Sequence, residues 1–247
     1  MHSLALYAQI PSSRHAQVLN ILAGLTGTQP RETHVHTLIF APLRTTSDTN
    51  VISKKTSAAS QQNQQLSYIQ LDSELSRTDF GHSTSDEGDF TVTTQDTPEP
   101  ETRNLVLRHV SVEGTRLTRA EAKGRFGEEG KYKRTDWTRF ITEYVQDGHV
   151  MVHNDVVLRL RRVLCFKPTP DGTAGLDQDA LPPLDDFVLL DSSGAWMLEA
   201  MVRIEDRGKP ALVRAASEQL LGLRAELRGA IELRVPERLA MDTRIKA

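Results

Sequence analysis

Two long stretches of alternating side chains constrain the fold more than anything else in the sequence. From Val156 to Lys167 the even positions Val156, Leu158, Leu160, Leu164 and Phe166 are apolar, Arg162 apart, while the odd positions include Arg159, Arg161 and Lys167. From Gly194 to Glu205, Trp196, Leu198, Ala200, Val202 and Ile204 alternate with Met197, Glu199, Met201, Arg203 and Glu205. Successive side chains on a strand point to opposite faces, so each stretch reads as a strand with one buried and one wet face. Methionines are uncommon on a face that is otherwise charged. Met197 and Met201 therefore predict either cover by a partner or enclosure inside a barrel.

Further strand signals surround these two. Met1–Ile10, Thr33–Phe40, Leu105–Val112 and Phe187–Leu190 are rich in apolar and β-branched residues. Trp137–Val145 and a short piece at Val150–Val152 are expected on either side of a turn at Asp147-Gly148. Asn154-Asp155 is a hairpin-type turn. Ala230–Val235 reads as a last strand.

Helices are fewer. Pro11, Ser12 and Ser13 end the first strand and offer hydroxyl caps, and Val18, Leu22 and Leu25 then form one helical face. Pro210 suits a first helical position, and Val213, Ala216, Leu220, Leu223 and Leu227 follow at helical spacing until Gly229. Arg116–Arg139 is polar, basic and punctuated by glycine, and reads as a loop. Strands that outnumber helices and succeed one another by hairpins predict a mainly β chain. The expected architecture is a many-stranded antiparallel barrel with two flanking helices.

The expected organisation is a single domain over 1–247, interrupted at about 45–102 by a disordered polar and acidic insert. Ser57–Gln65 is low in complexity, and Ser83–Asp89 and Thr97–Glu101 are acidic. Such composition buries too little apolar surface to offset the entropy of ordering. The alternating run Leu66–Leu71 is the exception, read as a short strand or a docking motif. The Ser/Thr-rich acidic remainder would suit phosphorylation.

Composition narrows the function classes. The 247 residues carry a net charge of −3, unlike the basic balance of a typical nucleic-acid binder, so sequence-specific DNA binding is not expected. One cysteine, Cys165, excludes an internal disulfide and fits a reducing compartment. No 18-residue apolar run or secretory leader pattern is present, so no membrane association is expected.

No residue pattern points to catalysis. His34 and His36 share a strand face, and His149 and His153 lie nearby, but an HxH pair needs a third ligand and a second shell to hold zinc. His34 and His36 read as solvent-facing strand residues. Cys165 lies among Val163, Leu164 and Phe166, and reads as a small packing residue. Lys123–Arg134 superficially resembles a phosphate loop but lacks the Gly-Lys-Ser/Thr ending and carries Glu128 and Glu129. Its Lys131, Lys133 and Arg134, with Phe126 and Tyr132, leave open a nucleic-acid-binding module. No metal, cofactor or catalytic residue is expected.

Three blocks in order resemble a known family. Leu6–Gly27 reads LYAQIPSSRHAQVLNILAGLTG, Glu143–Leu164 reads EYVQDGHVMVHNDVVLRLRRVL, and Ser217–Arg244 reads SEQLLGLRAELRGAIELRVPERLAMDTR. Together they resemble the fungal Mediator subunit 18 family. The resemblance implies an antiparallel barrel and a nuclear, non-enzymatic role in the head module of the coactivator of RNA polymerase II. It also implies a heterodimer with Mediator subunit 20, a docked C-terminal helix of Mediator subunit 8, and contact with polymerase, direct or indirect.

No short motif carries the interface residues across from the family. Met197 and Met201, followed by Val157, Arg159 and Arg161, are the physical candidates for partner binding, since Met and Arg suit interfaces. The alternative is a phosphohydrolase of the triphosphate-tunnel type. That chemistry requires Glu-x-Glu on barrel strands. The strands predicted here lack it, and Glu99-x-Glu101 lies in the insert.

Overall fold

A computed structural model describes residues 1–42, 67–82, 89–100, 104–126, 138–167 and 180–245. Nine strands form one sheet: β1 (His2–Ile10), β2 (Arg31–Pro42), β3 (Ile69–Leu75), β4 (Phe90–Gln95), β5 (Val106–Val112), β6 (Thr138–His153), β7 (Val156–Cys165), β8 (Val188–Leu189) and β9 (Trp196–Ile204). The order is β6-β2-β3-β4-β5-β1-β9-β7-β8, and a further β6–β7 pairing closes eight strands into an antiparallel barrel with β8 as an extra strand.

The barrel has its apolar face outside and its polar face inside. Leu4, Leu6, Ala8 and Ile10 of β1, Val156, Leu158 and Leu160 of β7, and the even positions of β9 all point outward into the main core. Two helices close that core, α1 (His15–Thr26) through Val18 and Leu22, and α3 (Pro210–Glu226) through Ala216, Leu220 and Leu223. Burying such side chains stabilises by about 1.5–3 kcal/mol each. Gly27 ends α1 in the left-handed conformation at φ 65°, donating its N–H to the Ala23 carbonyl. On the opposite wall, α2 (Arg119–Phe126) covers Leu38, Phe40, Leu71, Phe90 and Val92 through Ala122 and Phe126.

Several expectations are corrected. β3 and β4 lie inside the stretch read as a disordered insert, with β3 starting in the run Leu66–Leu71 that was read as a short strand or a docking motif. Their polar residues Gln70, Asp72, Glu74, Thr91, Thr93 and Gln95 face a polar lumen, so their composition imitates a loop. Residues 45–66, 83–88 and 101–102 of that stretch lie outside the described residues, as do Lys131, Lys133 and Arg134. Part of the expected basic loop is helix α2. Thr118 and Glu121 cap it reciprocally: the Thr118 N–H donates to Glu121 Oε2 at 2.8 Å, and the Glu121 N–H donates to Thr118 Oγ1 at 3.2 Å.

The turn expected at Asp147-Gly148 does not form. β6 runs through it, because Gly148 serves close approach to β7 and not reversal of the chain. A Cβ there would sit 2.2 Å from the Leu160 carbonyl oxygen. The reversal comes at Asn154, with φ 53°. Ala230–Val235, expected as a last strand, does not form one. A single bridge between Tyr7 and Arg234 holds it, with Ile231 and Leu233 buried.

Candidate functional site

The lumen is the most distinctive feature, a cavity of about 630 Å³ lined by side chains from all eight barrel strands. Residues opposite one another on neighbouring strands share a face, so the register decides what meets inside. Tyr7, Glu199 and Arg159 form one row across β1, β9 and β7, and Arg108, Ser3 and Arg203 form another across β5, β1 and β9.

A continuous hydrogen-bond chain crosses six strands. Thr37 Oγ1 of β2 donates to Asp72 Oδ1 of β3 at 2.6 Å and accepts from Gln146 Nε2 of β6 at 2.9 Å. The Gln146 carbonyl oxygen accepts from Arg161 Nη1 of β7. Arg161 Nη2 donates to Glu199 Oε2 of β9 at 3.1 Å, and the Tyr7 hydroxyl of β1 donates to Glu199 Oε1 at 2.9 Å. Arg159 Nη1 adds an ion pair to Glu199 at 3.6 Å.

Burial alone would raise the Glu199 carboxyl. The Arg161 and Arg159 guanidiniums and the Tyr7 hydrogen bond outweigh it and hold the carboxyl below its usual range. Burial, reinforced by the Glu199 charge, pushes the Tyr7 hydroxyl upward. The node is thus an ionised carboxylate with both oxygens engaged.

The lumen carboxylates are taken up elsewhere too. Asp72 also accepts from Gln70, and Glu74 pairs with Arg31 at 3.0 Å. Asp72 and Glu74 are alternating carboxylates on one strand, which the sequence reading missed because β3 lay inside the stretch read as disordered. Among the described residues no strand carries Glu-x-Glu, and no three His, Cys, Asp or Glu side chains are grouped to hold a metal ion.

Four of the five residues expected to bind a partner, Met197, Met201, Arg159 and Arg161, line the lumen. Met197 is 50% exposed at the lumen. Met201 is 6% exposed and packs with Ala5 and Val106, the enclosure inside the barrel that the sequence left open beside cover by a partner. Arg159 and Arg161 belong to the Glu199 node. Val157 is half-buried in a groove of about 520 Å³ between the barrel end and α3, shared with Arg159, Met201, Ile204, Leu212 and Ala216.

His34 and His36, expected to face solvent, are instead buried on the outer wall. His36 Nε2 lies 2.8 Å from Glu143 Oε2, and His34 packs edge-on against Phe80. His15 stacks on Trp196 with ring centres 3.8 Å apart, His149 lies beside it, and Arg162 sits 4.7 Å over the same indole. Burial lowers both His15 and His149 below the usual histidine value. Cys165 is half-buried.

Comparison with known proteins agrees with this architecture. The family model described as Med18 protein matches residues 2–118 and 135–244. The chain is 30% identical to Mediator of RNA polymerase II transcription subunit 18 of Aspergillus niger and 27% identical to that of Coccidioides immitis, with 100% of both chains covered in each case. Its fold is similar to that of a chain in the structure of the Schizosaccharomyces pombe Mediator head module, with a TM-score of 0.69 and 16% identity over 94% of this chain and 98% of that one. With the family model matched on both sides of the basic segment and relatives aligned end to end, the chain belongs to the Med18 protein family.

Proposed function

We propose that this chain is a non-enzymatic structural subunit of the Mediator head module, acting in the nucleus in transcription by RNA polymerase II. It pairs with Mediator subunit 20 and holds the C-terminal helix of Mediator subunit 8. The observation that carries this reading is the family match over residues 2–118 and 135–244. The chemistry of the lumen supports it. Glu199 is engaged by Arg159, Arg161 and Tyr7, and the Asp72/Glu74 pair by Thr37, Gln70 and Arg31, so neither Glu199 nor the Asp72/Glu74 pair is left free for phosphoryl chemistry among the described residues.

The groove between the barrel end and α3 is our choice for the subunit 8 helix. Val157, Ile204 and Leu212 give it an apolar floor that suits the stripe of an amphipathic helix, and Arg159 and Arg203 line its edge. Met197, at the lumen, is left for contact with subunit 20. Fluorescence anisotropy of a labelled subunit 8 C-terminal peptide tests the groove. We expect Val157→Asp and Leu212→Asp each to weaken binding about tenfold or more, an effect of ~1.4 kcal/mol. Unchanged affinity in both variants rejects the groove.

A further inference from the structure

The positive charge inside the barrel exceeds what its carboxylates pair. Arg108 is 7% exposed, yet its guanidinium meets only neutral partners: Gln95 Oε1 at 2.7 Å and the thioether of Met241 at 3.4 Å. Two strands away in the same row, with the buried Ser3 between, stands Arg203, and among the described residues neither arginine has a carboxylate within ion-pair distance. Neighbouring strands lie about 4.8 Å apart, so the two backbones are about 10 Å apart, a span that two arginines can close on one small ligand. Arg159, two rows along the same face beyond Met201, already shares Glu199 with Arg161. The Glu199 carboxylate acts on Arg108 only from beyond ion-pair distance and is already bonded by Arg161 and Tyr7, and a thioether is a poor acceptor. The planar donor fork of arginine matches the oxygens of a phosphate group.

We propose that the lumen binds a small multivalent phosphate anion at Arg108, Ser3 and Arg203, in exchange for the Arg108–Met241 contact. With Glu199, Asp72 and Glu74 already engaged among the described residues, the anion is held and not hydrolysed. The site lies inside the barrel and does not depend on the scaffold reading.

Methionine-methyl NMR of the full chain, labelled with 13C-methyl methionine, tests this. Met197, Met201 and Met241 line the cavity, while Met151 sits in the outer core and serves as an internal control for folding. Inorganic pyrophosphate, titrated at ionic strength held constant with KCl, should shift Met241 and Met201 saturably and leave Met151 in place. Arg203→Gln and Arg108→Gln should each weaken the response about tenfold or more with the Met151 signal unchanged. A nucleoside diphosphate should act like pyrophosphate, because the phosphates alone are read. The proposal is overturned if the lumen methyls do not move, if the shifts survive both substitutions, or if only the nucleotide produces them.

Discussion

Arg161 and Glu199 meet on a diagonal. In the strand register Arg161 lies opposite Met197, and Glu199 lies opposite Arg159, yet Arg161 Nη2 reaches across to within 3.1 Å of Glu199 Oε2. Diagonal neighbours on adjacent strands are within reach of long side chains. The consequence is that one carboxylate serves two guanidiniums, and the inner wall is joined across β1, β9, β7, β6, β2 and β3 into one network.

That network should be cooperative. Glu199→Ala leaves two guanidiniums without their counter-charge and should cost about 2–3 kcal/mol, below the full penalty for a buried pair because both arginines are about a third exposed. Urea unfolding of Glu199→Ala, Arg161→Ala and the double variant should give a coupling energy of about 1 kcal/mol or more. Additive losses would mean that the pair is not coupled.

Gly148 should not tolerate a side chain. A Cβ there would lie 2.2 Å from the Leu160 carbonyl oxygen and 2.8 Å from Arg161 Cα, both backbone atoms of β7. Gly148→Ala should therefore separate β6 from β7 and lower thermal stability, where a permissive site would gain slightly from alanine. An unchanged or raised melting temperature would contradict the close approach.

Stability should fall as pH drops below about 6.5. His15 and His149, packed with Trp196 beside Arg162, are lowered below the ordinary histidine value chiefly by burial. Protons therefore bind the unfolded chain first. Their contribution is complete above the unfolded value and is lost as pH falls toward the folded values. His15→Phe, which keeps the stack on Trp196 without a titrating group, should flatten the slope of chemical-denaturation stability between pH 7 and 5. An identical slope in the variant would remove His15 as a cause.

The outer core should carry the fold. Leu158 and Leu198 are fully buried between the barrel wall and the helices, so Leu158→Ala and Leu198→Ala should each cost about 2–5 kcal/mol. Val152→Ala, at an exposed position on β6, should stay within about 0.5 kcal/mol of the parent. Equal losses at all three positions would contradict this layering.

The strands with strong period-two patterns were legible in the sequence because their outward faces are apolar. β1, β7 and β9 were placed from Leu4, Leu158 and Leu198 and their neighbours. β3 was legible only at its start, in the alternating run Leu66–Leu71, and β4 not at all, because a barrel with a polar interior fills the inward positions of its strands with residues such as Gln70, Asp72, Thr91 and Thr93. Helix α2 had a readable signal in the Thr118–Glu121 capping box, masked by the glycines and charges that follow. The lumen itself was half visible. The alternation of Arg159, Arg161 and Glu199 was plain, but which face pointed inward depends on where α1 and α3 pack, and that is a tertiary matter. Tyr7, Gln146 and Arg108 sit in strands with no local mark of their role.

The central claim, a structural subunit that works by assembly, is tested most directly by co-expressing the chain with Mediator subunit 20 of the same species. Size-exclusion chromatography with light scattering then gives the mass of the product. The account predicts one species at the summed mass of a one-to-one complex. A folded chain that elutes alone at its own 27.6 kDa with subunit 20 present would contradict it.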